Sequence, residues 1–329
     1  MPWNLDIRVH YPRERGRLVL RTESNWDMDI PPDEEHDDGA LFHLETSRHV
    51  LELKPVLRVG DTTRWCQSHN VVVYPPRETL RELYPHFYDP PFTGHLTDPL
   101  DVVGESGPYR LRAYLPPGYR ENPYRTYPVL YMHDGRNLFD PSQTATGQEW
   151  EVDEVMDALS SLSAIRRVLV IGVEARDRMA DYGGAGQEAY TRTMADTIVP
   201  TVLQQFRAEA GPSRTAVMGS SLGGLTSFRM AWDRPDVFGL CAALSPSFWY
   251  DPDVFDRVMS EPRKDIRIYL DSGSPNDNFD VTRRMRDLLI LRGYRLGLDL
   301  NYLVFPGETH NEGAWSRRIC VPFQTLFGQ

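Results

Sequence analysis

Thr215-Ala216-Val217-Met218-Gly219-Ser220-Ser221-Leu222-Gly223-Gly224 is the stretch on which the reading of the fold turns. Its first four residues form a short apolar run, the pattern of a strand buried on both faces. The next residues fit Gly-x-Ser-x-Gly with Ser221 central, and a helical pattern follows through Phe228 and Met230 to Pro235. The pentapeptide alone is common; a strand before it and a helix after it give it meaning. Together they describe a sharp turn that presents one serine hydroxyl, with small neighbours that let strand and helix pack closely. The helix start then aims its N–H groups and positive dipole end at charge developing beside Ser221. The competing reading is a glycine-rich helix start with no chemistry.

Working outward, Pro128–Met132, Val168–Val173 and Ile266–Leu270 repeat the same short apolar texture. Helix-like patterns alternate with these runs over Glu149–Leu162, Tyr190–Ala210, Leu222–Trp232 and Asp280–Arg292. That alternation predicts a mostly parallel sheet with helices on both faces over residues 93–329. Residues 1–92 read differently. Arg17–Arg21, Val50–Leu57 and Asn70–Tyr74 are short runs bounded by Gly, Pro and Asp, which predicts a small antiparallel β-sandwich. Seven carboxylates between Asp27 and Asp38 read as a solvated loop, and Asp89–Pro99, with three prolines, reads as the linker.

A serine hydroxyl needs a base to act as a nucleophile at neutral pH. Of nine histidines only His310 follows Ser221, just past the apolar run Tyr302–Phe305, and in the strand–turn–helix class the order is serine, acid, histidine. Asp277 is the expected acid, past a Gly-Ser-Pro-Asn turn; Asp271 and, more distantly, Asp280 stand as alternatives, with Asp271 also able to cap its own loop. A tetrahedral intermediate needs two N–H donors. The expected pair is the Leu222 amide and the Arg136 amide, Gly135 allowing the backbone to turn. Asp134 and Arg136 either line the substrate mouth or form a structural surface pair.

These residues carry a resemblance. Tyr131-Met132-His133-Asp134-Gly135-Arg136-Asn137-Leu138-Phe139, Glu149-Trp150, the elbow at Ser221, Arg234-Pro235-Asp236-Val237-Phe238, Leu244-Ser245-Pro246-Ser247-Phe248-Trp249 and His310-Asn311-Glu312 follow the order of the Putative esterase family of α/β-hydrolases. That family includes enterochelin, feruloyl and acetylxylan esterases, S-formylglutathione hydrolase and mycolyltransferases. The resemblance spans about residues 108–327. It implies an α/β-hydrolase fold with a Ser221–His310–Asp277 triad and a Leu222/Arg136 oxyanion hole. Asp134, Trp150 and Trp249 are read as substrate-binding. The front piece is similar to starch- or glycogen-binding-type modules, through Asn25-Trp26-Asp27, Leu51–Pro55, Trp65, Asn70 and Pro75-Pro76; Lys54 and Trp65 are its candidate glycan contacts. Against that, enterochelin esterases also carry a front β-sandwich, one that binds no glycan and walls the active site.

Composition bounds the rest. With 40% hydrophobic and 25% charged residues the chain is an ordinary globular protein long enough for two domains. A net charge of −11, from 47 acids against 36 bases, argues against nucleic acid. No run has the length of a membrane span, and Met1–Asp6 lack a leader's basic and apolar regions. Cys66, Cys241 and Cys320 read as buried free thiols, so the cytoplasm is the expected compartment. The expectation is a serine carboxylic ester hydrolase on a small ester substrate, an acylated sugar, an aromatic ester or a siderophore-type ester, with no metal or cofactor. The alternatives are a glycan-binding protein with an inactive hydrolase domain and an acyltransferase using the same triad. Oligomeric state is left open.

Overall fold

In the computed structural model, which describes residues 2–144 and 146–328, Thr215–Ser220 lies in the middle of a nine-stranded sheet with all six residues buried. The strand order is His95–Leu96, Gly107–Leu115, Leu169–Val173, Val129–Met132, Thr215–Ser220, Leu240–Leu244, Arg267–Ser274, Leu300–Pro306, with Leu100–Gly104 also paired to Gly107–Leu115. Pairing is parallel from Leu169–Val173 to Leu300–Pro306 and antiparallel at Gly107–Leu115. This is an α/β-hydrolase fold with a mostly parallel sheet. Register aligns Ser220 with Leu244 and Leu244 with Asp271, so the residues that follow these strands gather at one end. The carboxyl ends of parallel strands are where such sheets build their sites.

Several elements differ from expectation for identifiable reasons. Leu240–Leu244, a fully buried central strand, was not anticipated; its Cys-Ala-Ala centre lacks the β-branched and aromatic residues that mark strands. Arg267–Ser274 runs four residues past the expected end, because Asp271 finds buried partners and stays in the ladder. The expected helix over 190–210 is Gln187–Thr193, a wide π turn at Met194–Ile198, then Val199–Gln205. Pro200 lacks an N–H, and the wide turn precedes it.

The chain forms two units: Met1–Gly94 with Pro117–Thr126, and His95–Pro116 with Tyr127–Gln329. The first is all-β. One sheet orders Glu34–His36, Gly39–Thr46, Trp3–His10 and Leu80–Leu83; the other orders Asn25–Ile30, Arg17–Thr22, Leu51–Val59 and Thr62–Trp65, with Val71–Val73 on Leu51–Val59. Ile7, Val9 and Phe42 of one sheet pack with Leu20, Leu53 and Leu57 of the other. Pairing is antiparallel except between Trp3–His10 and Leu80–Leu83. The acidic stretch is therefore not a loop. It contributes strands Asn25–Ile30 and Glu34–His36, and Asp29 is neutralised across the sheet by Arg21 at 2.7 Å and by Arg58.

The stretch read as a linker holds structure at both ends. Asp89 N–H donates to Glu121 at 2.7 Å, and His95–Leu96 pairs with Tyr114 and Leu115. Residues 117–126 belong to the first unit because Glu121 is buried there, accepting from Tyr11 Oη–H, Phe87 N–H and Tyr88 N–H at 2.7, 2.7 and 2.8 Å. All three cysteines are free; Cys66 and Cys241 are buried, whereas Cys320 is half-buried. No helix among the described residues is long and apolar enough to cross a membrane.

Candidate active site

Ser221 sits between strand Thr215–Ser220 and helix Leu222–Asp233 at φ 56°, ψ −122°. Such a conformation costs about 1–3 kcal/mol and persists only where the surroundings over-determine it. Here Ser221 N–H donates to Leu244 O at 2.9 Å, and Ser221 O accepts from Leu225 and Ser247 N–H at 3.1 and 3.0 Å. Gly219 permits the turn by close approach: a Cβ there would lie 2.7 Å from the Gly223 backbone. Leu222 opens the helix, so its N–H is one of the donors without an intrahelical partner.

His310 follows strand Leu300–Pro306 and precedes helix Glu312–Arg318, whose start is capped by Asn311 accepting from Ala314 N–H at 2.9 Å. Its Nε2 lies 2.8 Å from Ser221 Oγ and its Nδ1 2.6 Å from Asp277 Oδ1. With the proton on Nδ1 toward the carboxylate, Nε2 accepts from the serine hydroxyl. The other oxygen, Asp277 Oδ2, accepts from Ser245 Oγ–H at 2.6 Å and Gly273 N–H at 2.7 Å. Burial raises Asp277, but bonds from His310, Ser245 and Gly273 outweigh it and hold the carboxyl below its ordinary range. Asp271, the alternative acid, makes no bond to His310. It is fully buried against Arg318 Nη2 at 3.1 Å, Tyr269 Oη–H at 2.9 Å and Ser245 N–H at 3.3 Å. Asp280 instead lies in the first turn of helix Phe279–Leu291 and pairs there with Arg283.

A cavity of about 500 Å³ opens on Ser221 and His310, lined also by Asp134, Arg136, Glu174, Arg178, Glu312 and Trp315. Arg178 clamps Asp134 in two bonds at 3.0 and 3.2 Å, and Arg136 Nε bonds Glu174 at 2.7 Å. Glu312 has no ion-pair partner among the described residues. The turn after strand Val129–Met132 works differently from expectation. Asp134, not Gly135, takes the left-handed conformation at φ 55°; Gly135 is required because a Cβ would lie 2.9 Å from the Gly172 and Val173 backbone. Behind it, burial and the nearby Arg178 push His133 down to about 3, so it is a neutral partner of Tyr190 at 2.9 Å.

Other expected contacts fall elsewhere. Trp150 is 1% exposed and packs on Trp315, so it backs the cavity wall without lining it. Trp249 is 59% exposed, outside the cavity lining, and donates to Asn278 Oδ1 at 3.1 Å on the loop that carries Asp277. Lys54 and Trp65 share a separate cleft of about 650 Å³ within the first unit. Ser245 and Arg318 were not anticipated. Ser245 lies directly after the unanticipated strand Leu240–Leu244, and position at a strand's carboxyl end is the signal that would have flagged it.

The fold and this arrangement define a member of the α/β-hydrolase class. Residues 106–316 match the model of the Esterase family, described as "Putative esterase", and the chain belongs to that family. It is 23% identical over 220 residues to an endo-1,4-beta-xylanase/feruloyl esterase of Xylanibacter ruminicola, covering 65% of this chain and 28% of that one. It is 27% identical over 203 residues to the iron(III) salmochelin esterase of Escherichia coli, covering 55% of this chain and 46% of that one. Across five curated relatives the chain spans between 26% and 60% of their length. Among solved structures, the enterochelin esterase of Shigella flexneri superposes with a TM-score of 0.58 at 13% identity, over 98% of this chain and 91% of that one.

Proposed function

We propose that this chain is a serine carboxylic ester hydrolase that works through an acyl-enzyme. The observation that carries the reading is the continuous path from Ser221 Oγ through His310 to Asp277, at 2.8 and 2.6 Å, opening on a cavity. Ser221 Oγ attacks the ester carbonyl while its proton passes to His310 Nε2. The ionised Asp277 holds the imidazole in the required tautomer and stabilises the imidazolium. The Leu222 and Arg136 amides receive the oxyanion. His310 then gives the proton to the leaving alcohol, leaving Ser221 acylated; water, deprotonated by His310, releases the acid and restores the serine. An acceptor alcohol in place of water would make the same residues an acyltransferase.

The substrate falls among aromatic, sugar-acyl or siderophore-type esters, as the named relatives suggest. Cavity charge narrows this set. Both arginines are paired with carboxylates and Glu312 adds one with no ion-pair partner among the described residues, which favours a neutral ester over a polyanion. For the first unit, a glycan is the ligand that the resemblance to starch-binding modules brings, through Lys54 and Trp65 in their cleft. Against it, the Arg21 guanidinium covers the Trp65 ring at 4.9 Å.

The reading is tested by hydrolysis of p-nitrophenyl acetate by the full chain and by Ser221→Ala. Turnover should fall by about 10⁴-fold or more in the variant while far-ultraviolet dichroism is unchanged. Undiminished turnover in Ser221→Ala would overturn it.

A further inference from the structure

We infer that Arg318 and Asp271 together set the proton affinity of the His310–Asp277 pair, Arg318 lowering it and Asp271 offsetting Arg318, and that both are positioning residues that touch no substrate. The inference rests on the triad reading above. Its basis is a buried cluster of charges on the far side of Asp277 from the cavity. The Arg318 side chain is 2% exposed and bridges two carboxylates whose side chains are 0% exposed. Its Nη2 lies 3.1 Å from Asp271 Oδ1 and 3.3 Å from Asp277 Oδ2, and its Nε lies 3.3 Å from Asp271 Oδ2.

Ser245 ties the cluster to the triad with only one possible direction for its proton. Arg318 Nη2 and Trp315 Nε1 both donate to Ser245 Oγ, at 2.7 and 3.0 Å. Neither group can accept, so both lone pairs of the hydroxyl are used and its hydrogen must go to Asp277 Oδ2, 2.6 Å away. Ser245 holds φ 42°, and Asn278 Nδ2–H donates to its carbonyl at 2.8 Å, which fixes the hydroxyl in place. Two buried carboxylates and one guanidinium are a costly construction, and apolar residues of similar size commonly give equal stability. A site that must exchange a proton beside Asp277 gives the construction a use.

The charges determine the sign of each effect. With His310 neutral, Asp271, Asp277 and Arg318 carry one net negative charge; with His310 protonated, the four carry none. Loss of Arg318 removes the cation closest to Asp277, so a proton on His310 is favoured more, whether or not Asp271 itself takes up a proton. Loss of the Asp271 charge leaves Arg318 wholly to Asp277, so a proton on His310 is favoured less. The remaining groups around His310 are the same in both cases. They are Ser221, Glu312, the Trp315 ring with its centroid 5.0 Å from that of the imidazole, the Glu308–Arg317 pair, and across the cavity the Asp134–Arg178 and Arg136–Glu174 pairs.

The test is the pH profile of kcat/KM for p-nitrophenyl acetate, from about pH 5 to 9, for the full-length parent, Arg318→Gln, Arg318→Lys and Asp271→Asn. The acid limb should move up by about 1 pH unit in Arg318→Gln and down by about 0.5–1 in Asp271→Asn, with Arg318→Lys returning toward the parent. Shifts of opposite sign are not produced by simple loss of structure, which lowers kcat without moving the limb. Unmoved limbs, or limbs moved the same way, would overturn the inference while Ser221-dependent turnover left the triad reading standing. Should Arg318→Gln fail to fold, Asp271→Asn decides: a downward shift supports the inference and its absence overturns it. Turnover that survives Ser221→Ala would overturn both.

Discussion

Ser221 and Glu312 show how single residues divide the work at the cavity. The strained serine is held by its neighbours' backbone, whereas Glu312 opens its helix on the cavity with no ion-pair partner among the described residues. A carboxylate there repels an anionic substrate through partly screened solvent, at a cost of about 1 kcal/mol. Glu312→Gln should therefore raise kcat/KM about five-fold for an ester bearing a carboxylate, relative to the same ester carrying a neutral amide. An unchanged ratio would remove Glu312 from substrate choice. At this scale the sequence was partly legible. Ser221 announced itself because its turn is local, and His310 because no other histidine follows. Ser245 and Arg318 did not, because their partners come together only through strand order: Arg318 meets Asp271 from 47 positions away, and Ser245 meets Asp277 from 32.

The helix Val152–Ser161 begins in a knot of like charge. Glu149, Asp153 and Glu154 bring carboxylate oxygens within 4.8 Å of one another. Burial, then the neighbouring acids, pushes both Glu149 and Asp153 up to about 7. The sign follows from linkage. A carboxyl whose folded value is raised contributes stability that is fully present below the unfolded value, near 4, and is lost as pH rises toward 7. Asp153→Asn should thus leave Tm almost unchanged near pH 4 and raise it by about a few degrees by pH 8, read by differential scanning fluorimetry. A gain that is the same at both pH values would show that charge is not the cause. Elements as a class were the most legible level. Apolar runs gave the strands at Val129, Leu169, Thr215 and Arg267 to within a few residues. Leu240–Leu244 escaped because alanine and cysteine carry no strand signal, and Asn25–Ile30 because its Asp29 is matched by Arg21 on the adjacent strand and by Arg58 one strand further on.

At the scale of the whole molecule, the sequence divided the chain once, near residue 92, but residues 117–126 return to the first unit. Nothing in the polarity of that segment marks the return. It is made by Glu121, whose carboxylate gathers N–H groups distant in sequence. The first unit's cleft offers Trp65 and Phe92 with Lys54, Glu52, Gln67 and Asn70, a mixture of ring faces and hydrogen-bonding groups. With Arg21 stacked on Trp65, one ring face is taken, and the account predicts that the parent and Trp65→Ala migrate alike through native gels with and without soluble starch. Retardation of the parent that Trp65→Ala abolishes would make this cleft a glycan site.

The central claim is that Ser221 is the nucleophile, and a covalent probe addresses it most directly. A fluorophosphonate reacts with a serine only when a neighbouring base activates it. Peptide mass mapping of the treated full-length chain should find one adduct, on Ser221, with labelling lost in Ser221→Ala and strongly slowed in His310→Ala. An adduct on any other serine, or labelling that persists in Ser221→Ala, would contradict the account.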